Sequence, residues 1–186
     1  MRRSLILFGV VIAAPALAVS TPVSDFSPIP LPGTRASLEP YLAGSVIYDR
    51  VVPFGPSAGA QGTLQVRILK RADNSLDFYW RITNDARSTQ AITVAQVRGF
   101  PKLQYNVNWR VDGASGVAPQ TIGGATNQNI WVLGFQFGQP IPPGQSSRFF
   151  FIGSGFHSWV PDPHTFLRIR TATGSVADLP TPLPRP

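Results

Sequence analysis

Alternation of apolar and polar residues is the feature that most constrains how this chain can fold. In "LDFYWRITN", residues 76–84, every second side chain is apolar: Leu76, Phe78, Trp80 and Ile82. Successive side chains of a β-strand point to opposite faces, so this pattern predicts a strand with one buried face. The other face carries Tyr79 and Arg81, which either meet water or bind a ligand.

Short runs of β-branched and aromatic residues recur along the chain, separated by Gly, Pro, Asn and Asp. Their spacing leaves no room for helices between them. Strands with one apolar face are typical of two antiparallel sheets packed through those faces. We therefore predict an all-β fold, a single antiparallel β-sandwich of about eight strands, immunoglobulin-like or jelly-roll-like. The predicted strands are 45–52, 63–70, 76–83, 92–97, 105–111, 129–137, 147–152 and 165–171.

The first 18 residues have the organisation of a secretory signal peptide. Arg2 and Arg3 precede the apolar run 5–14, and the small residues Ala16 and Ala18 suit a cleavage site after Ala18. A membrane anchor would need about 20 apolar residues, more than this run supplies before Pro15. We expect a secreted protein, extracellular or periplasmic, exported by the ordinary route or, as an alternative, the twin-arginine route.

Proline-rich segments flank the predicted sandwich. Residues 1–18 are the signal peptide, 19–40 a Pro-rich extended segment, 41–174 the β-sandwich domain and 175–186 a Pro-rich C-terminal tail. The chain has no cysteine, so its core must hold it together without disulfides. The later predicted strands carry aromatic residues on both faces. Either the N-terminal segment lies across them as a strap or a partner chain covers them, and we favour the strap.

The strand motifs resemble a loose group of secreted bacterial proteins. The segments "GSVIYDRVVPFG", "GTLQVRILKRADNSLDFYWRIT", "YNVNWRVDG" and "IPPGQSSRFFFIGS" are similar to strands of β-sandwich proteins of unassigned function, many of which end in a PEP-CTERM sorting signal. The resemblance implies export and a sandwich fold, and it brings no catalytic residues. Here the chain ends in "DLPTPLPRP", without the apolar run of such a signal, so we expect release rather than anchoring.

The net charge is positive but dispersed. The formal value of +7 falls by two when Arg2 and Arg3 leave with the signal peptide, and Lys70 and Lys102 are the only lysines. The arginines form no cluster along the sequence, which argues against a nucleic-acid partner. The sequence does not identify the partner, and a polysaccharide or another envelope protein is a candidate.

No motif predicts a catalytic centre or a cofactor. "GPSAG", around Ser57, has the formal spacing of a nucleophile elbow, but its proline and glycines predict a loop rather than a strand-to-helix turn. Most aspartates stand where turns begin, and Glu39 is the only glutamate, so paired catalytic carboxylates are not indicated. "IGGATNQN", residues 122–129, reads as a loop and lacks the Lys-Ser/Thr of a phosphate-binding loop.

The only two histidines give a weak candidate for a metal site. His157, Asp162 and His164 lie in "FHSWVPDPH", but their spacing matches no established metal signature. The alternative is a connecting loop in which Trp159 plugs the edge of the sandwich. We therefore predict no metal and keep these three residues only as weak candidates.

Candidate binding residues are more specific. Tyr79 and Arg81, with Gln65 and Arg67 on the neighbouring strand, would form a polar aromatic patch on one sheet face, and Trp159 is a further exposed candidate. Packing of tyrosine on arginine is also an ordinary way to cover a sheet. We expect an exported, non-catalytic β-sandwich that acts through its surface. The alternatives are a carbohydrate-binding module, a subunit that assembles through its later strands and, last, a hydrolase.

Overall fold

Residues 21–23, 28–127 and 130–185 are described by the computed structural model, although the side chains of 21–23, 127 and 162–164 are not. Within these ranges there is one short 3-10 helix, Pro40–Leu42, and no helix is long and apolar enough to cross a membrane. The twelve strands of the same ranges are β1 Thr21–Val23, β2 Ile29–Pro30, β3 Ser45–Ser57, β4 Ala60–Lys70, β5 Leu76–Asn84, β6 Ile92–Pro101, β7 Tyr105–Trp109, β8 Thr121–Asn127, β9 Ile130–Ile141, β10 Phe150–Gly153, β11 Ser158–Thr171 and β12 Gly174–Arg185.

The strands form two antiparallel sheets of six strands each. Sheet 1 has the order β1-β7-β10-β5-β4-β3, and sheet 2 has the order β12-β11-β6-β9-β8-β2. The predicted all-β sandwich is therefore confirmed. Each of the eight predicted strands corresponds to an observed one, whereas β1, β2, β8 and β12 were not predicted.

The core lies between the sheets and is rich in aromatic side chains. The alternate residues Leu76, Phe78, Trp80 and Ile82 of β5 are all at most 1% exposed, as the alternation predicts. Phe150 of sheet 1 meets Phe135 of sheet 2 with ring centroids 4.7 Å apart. Burial of each such side chain contributes about 1.5–3 kcal/mol.

Strand β8 overturns the prediction of a loop at 122–129. Glycine and amide residues have low β-propensity, which is why this segment reads as a loop. In the structure Thr121–Asn127 pairs with β9 along its whole length. A Cβ on Gly124 would lie 3.0 Å from Leu133 Cδ2 and 3.4 Å from Trp131 Cζ3, so the glycine makes room for the large side chains of β9.

Strand β12 overturns the interpretation of 175–186 as a tail. Gly174–Arg185 pairs with β11 as the edge strand of sheet 2, so the sandwich continues to residue 185. Its prolines stand at alternate positions, 180, 182 and 184. In an edge strand, every second backbone N–H points away from the sheet and makes no ladder hydrogen bond. Prolines, which have no N–H, can stand at these alternate positions without loss of a hydrogen bond to β11.

The described part of the Pro-rich N-terminal segment is a strap that packs on the domain. Ile29–Pro30 pairs with β8 at the edge of sheet 2. The chain then crosses to sheet 1, where the Gly33 N–H donates to Asn108 Oδ1 at 2.8 Å. Beyond it, Leu42 is 1% exposed and packs with Tyr79 and Phe151 on the outer face of sheet 1. The outer apolar face of β10 is thus covered by Leu42, just beyond the predicted segment 19–40, whereas the described part of that segment packs along β7 and β8. Residues 1–20 and 24–27 lie outside the described ranges.

Candidate functional site

Register between β4 and β5 brings four predicted binding residues together. Gln65 stands opposite Arg81, and Arg67 stands opposite Tyr79. Residues opposite each other in an antiparallel pair share a face, so all four side chains belong to the outer face of sheet 1. The sequence prediction that these residues are neighbours is confirmed.

These side chains line a concave surface of about 330 Å³, which we call the arginine basin. Strands β4 and β5 form its floor, and residues just beyond β7 and just before β10 form its other side. The basin is open to solvent, and its polar and aromatic lining is Gln65, Arg67, Arg81, Arg110, Asp112 and Phe149.

Arg67 is held in place from two sides. Its Nε–H donates to Asp49 Oδ2 on β3 at 2.7 Å, and its guanidinium lies over the ring of Phe149 at 4.7 Å from the centroid. Gln65 donates to the same carboxylate at 2.9 Å. Both partners of the ion pair are about one third exposed, so the pair adds little stability. Its main effect is to fix where the guanidinium points.

Arg81 has no ion-pair partner among the described residues. Its Nε–H donates to the Ser147 carbonyl at 3.1 Å, and Nη2 donates to the Ser115 carbonyl at 3.4 Å. Backbone carbonyls orient the guanidinium without neutralising it. Arg81 therefore brings an uncompensated positive charge to the basin.

Arg110 closes the side of the basin next to the strap. It donates to both oxygens of Asp112, at 2.6 and 2.8 Å, and Nη1 donates to the Leu42 carbonyl at 3.1 Å. Burial works against its charged form, but hydrogen bonds to Asp112 and Tyr79 raise the pKa of Arg110. The same hydrogen bonds to Arg110 lower the pKa of Asp112. With Asp49 and Asp112 set against three arginines, the basin keeps an excess of one positive charge.

Tyr79 is not the exposed platform that the sequence suggested. It is 2% exposed, and its ring stacks on Phe151 with centroids 4.9 Å apart. Burial raises the pKa of its hydroxyl, which accepts a hydrogen bond from Arg110 Nη1 at 3.4 Å. The expectation of a wet sheet face fails here because Leu42 and Phe149 cover the ring. Tyr79 supports the basin and offers no aromatic face to a ligand.

Trp159, the fifth candidate, lies apart from the basin. It is partly buried against the main core at the lateral edge where β3 of sheet 1 faces β11 and β12 of sheet 2. Its ring meets Tyr48 edge to face, with centroids 5.0 Å apart. These two residues, with Arg50, Pro161, Pro180 and Pro182, line a second concavity of about 270 Å³, which we call the edge cleft.

The structure does not test the three weak metal candidates His157, Asp162 and His164. His157 is exposed and lines a polar hollow of about 460 Å³ beside Arg71 and Asp73. The side chains of Asp162 and His164 lie outside the described residues. Among the side chains that are described, no three His, Asp or Glu residues converge in a metal-binding group.

Ser57 ends β3 in the tight connection to β4, which begins at Ala60. A nucleophile elbow needs a helix after the serine, and a β-strand follows instead. The prediction of a loop is wrong for residues 55–57, which belong to β3, and holds only for the turn at residues 58–59.

Sequence reasoning missed Arg110, Phe149 and Asp49 as neighbours of the predicted site. Arg110 follows the alternation of β7 on its polar face, so a signal existed for its side of the sheet. The order of strands was not available from the sequence. Only that order places β7 and β3 on either side of β10, β5 and β4.

No protein family model, no curated protein and no solved structure matches this chain.

Proposed function

We propose that this protein is an exported, non-catalytic binding protein that recognises an anionic polysaccharide through the arginine basin. The observation that carries the proposal is the convergence of Arg67, Arg81 and Arg110 on one solvent-open concavity. Export rests on the signal-peptide pattern at residues 1–18 and on the resemblance to secreted sandwich proteins.

The chemistry of the basin suits carboxylates on a sugar chain. Guanidinium groups bind carboxylates with paired, charge-assisted hydrogen bonds. Arg81 has donors left over from its two carbonyl contacts, and Gln65 adds an amide for hydroxyl groups. Because protein contacts already hold the guanidinium groups, little side-chain freedom is lost when a ligand binds.

Lack of an exposed aromatic platform in the basin favours an anionic ligand over a neutral one. Tyr79 is buried, and the face of Phe149 is occupied by Arg67. Stacking of a neutral sugar ring therefore has no surface here, and charge is the main attraction left.

Assembly through the later strands has less support than ligand binding. Phe135 and Phe137 of β9 are buried in the core, and all four residues of β10 are buried as well. These apolar side chains already have partners within one chain. They need no second copy to cover them.

Isothermal titration of the purified protein with oligogalacturonate at 50 and 500 mM NaCl tests the proposal. We expect saturable binding at low salt that weakens at high salt, because surface electrostatic attraction is screened. Arg81→Gln should weaken binding at least about threefold, the scale of one exposed charge interaction.

Arg87→Gln is the matched control, because it removes the same charge from a side chain that is 78% exposed on a distant turn. Its affinity should equal that of the unmodified protein. Absence of saturation at millimolar ligand, or equal losses in Arg81→Gln and Arg87→Gln, would contradict binding at the basin.

A further inference from the structure

The edge cleft lies between the two edge strands that the strap does not reach. Strap residues close the lateral edge formed by β7 and β8, with Thr34 bridged to Arg110 and Leu31 bonded to Gln120. At the opposite edge, β3 and β12 are the outermost strands of their sheets. The cleft opens there, between Tyr48 and Arg50 on one side and three prolines on the other.

Hydrogen bonding sets Trp159 apart from the other three tryptophans of the chain. Trp80 donates its indole N–H to Thr181 Oγ1 at 2.8 Å, Trp109 to the Leu31 carbonyl at 3.0 Å and Trp131 to the Leu103 carbonyl at 2.9 Å. Among the described residues, the indole N–H of Trp159 has no acceptor. Trp159 is only partly buried, so this donor faces the solvent of the cleft, where it is available to a ligand.

Two further polar groups in the cleft are also free. The hydroxyl of Tyr48 and the guanidinium of Arg50 make no hydrogen bond or ion pair with any described residue. The cleft thus combines two aromatic rings with three unused donors. A ligand that satisfies it must offer an apolar face together with several oxygen acceptors.

We propose that the edge cleft binds a pyranose ring of gluco configuration, stacked against Trp159 and Tyr48. Such a ring carries its hydroxyls at the rim and only C–H groups on its faces, so the faces suit aromatic carbon and the rim suits the free donors. Trp159 Nε1–H, the Tyr48 hydroxyl and Arg50 would each bond to ring hydroxyls. This site is independent of the arginine basin and does not rest on the function proposed for it.

Size and rigidity of the cleft favour a sugar over a peptide. Its volume of about 270 Å³ is just below the roughly 300–1,000 Å³ typical of sites for drug-sized ligands, which suits one or two rings. A proline-rich peptide also presents apolar rings and carbonyl acceptors, but it needs an extended groove. The prolines at 161, 180 and 182 stiffen the far wall, so the cleft needs little reorganisation on binding.

Titration of the purified protein with cellohexaose, followed by tryptophan fluorescence and calorimetry, tests this site. We expect saturation below about 1 mM, a modest affinity on the usual scale. Trp159→Ala should weaken binding about tenfold or more, because it removes the stacking ring. Tyr48→Phe keeps the ring and loses only the hydroxyl, so it should fold normally and weaken binding by a smaller factor of about two to five.

Arg81→Gln serves as the control, since it alters the basin and leaves the edge cleft intact; its cellohexaose affinity should be unchanged. This probe is neutral, so the outcome is independent of oligogalacturonate binding at the basin. No saturation at 10 mM cellohexaose, or full affinity in both Trp159→Ala and Tyr48→Phe, overturns the site. Binding of decaproline with loss in Trp159→Ala, and no sugar binding, would replace it with a peptide site.

Discussion

Asp77 links the stability of this protein to pH in a direction opposite to that of most carboxylates. Its side chain is fully buried on the outer face of sheet 1, where Arg71 donates to both carboxylate oxygens. The Arg71 guanidinium in turn lies over the ring of Tyr41, 4.4 Å from its centroid. Burial raises the pKa of Asp77 to about 6 despite the ion pair. The folded protein therefore holds this proton at pH values where the unfolded chain has released it.

The sign of the effect follows from linkage. A folded pKa above the unfolded value of 3.8 means that the folded state binds the proton more tightly. Stability from this group is then fully present below about pH 4 and is lost as pH rises through about 6. A difference of about two pKa units corresponds to about 3 kcal/mol, with a slope near −1.4 kcal/mol per pH unit at most.

Urea unfolding of the protein and of Asp77→Asn, at intervals from pH 4 to 7, measures this contribution. The free energy of unfolding of the unmodified protein should fall by about 2.5 kcal/mol more than that of Asp77→Asn as pH rises across the window, since part of the effect already lies below pH 4. Asp85→Asn is a control, because Arg87 lowers the pKa of Asp85 to about 2 and its stabilising effect is lost only at lower pH. Parallel curves for the protein and Asp77→Asn would show that Arg71 keeps Asp77 ionised and would refute the reasoning.

Two further predictions concern the segments that flank the central strands. Leu42→Ala should lower the free energy of unfolding in urea by about 2–5 kcal/mol, because it leaves a cavity against Tyr79 and Phe151. Leu38→Ala, at a side chain 36% exposed, should cost less than about 0.5 kcal/mol. Deletion of 174–186 should abolish cooperative unfolding in circular dichroism, because it leaves one side of β11 unpaired and removes Thr181, the acceptor of the Trp80 indole. A stable, cooperative truncated protein, or equal costs for the two leucines, would contradict these assignments.

Local sequence was sufficient to predict the class of fold and the inward face of the central strands. The period-two pattern of β5 requires Phe78 and Trp80 to share one face, and a shift of one residue would expose both. Local sequence also predicted that Arg67 and Tyr79 are neighbours, because the short connection at residues 71–75 fixes the register of the β4–β5 hairpin. These are short-range consequences of backbone geometry and chain connectivity.

Segments that depend on distant partners could not be predicted in this way. Residues 174–185 and 121–127 have compositions typical of tails and loops, and they become strands because β11 and β9 offer them hydrogen bonds. Whether such a segment can pair as a strand depends on where its prolines and glycines lie relative to residues of the neighbouring strand, which is distant in sequence.

The tertiary structure alone decided the character of the two candidate sites. Alternation placed Tyr79 on an outer face, but only packing against Leu42, Phe149 and Phe151 made that face buried. Trp159 and Tyr48 stand on strands more than a hundred residues apart and meet because the edges of two sheets face each other. Sequence set which side of a strand each side chain takes, and long-range packing set whether that side meets water, a neighbour or a ligand.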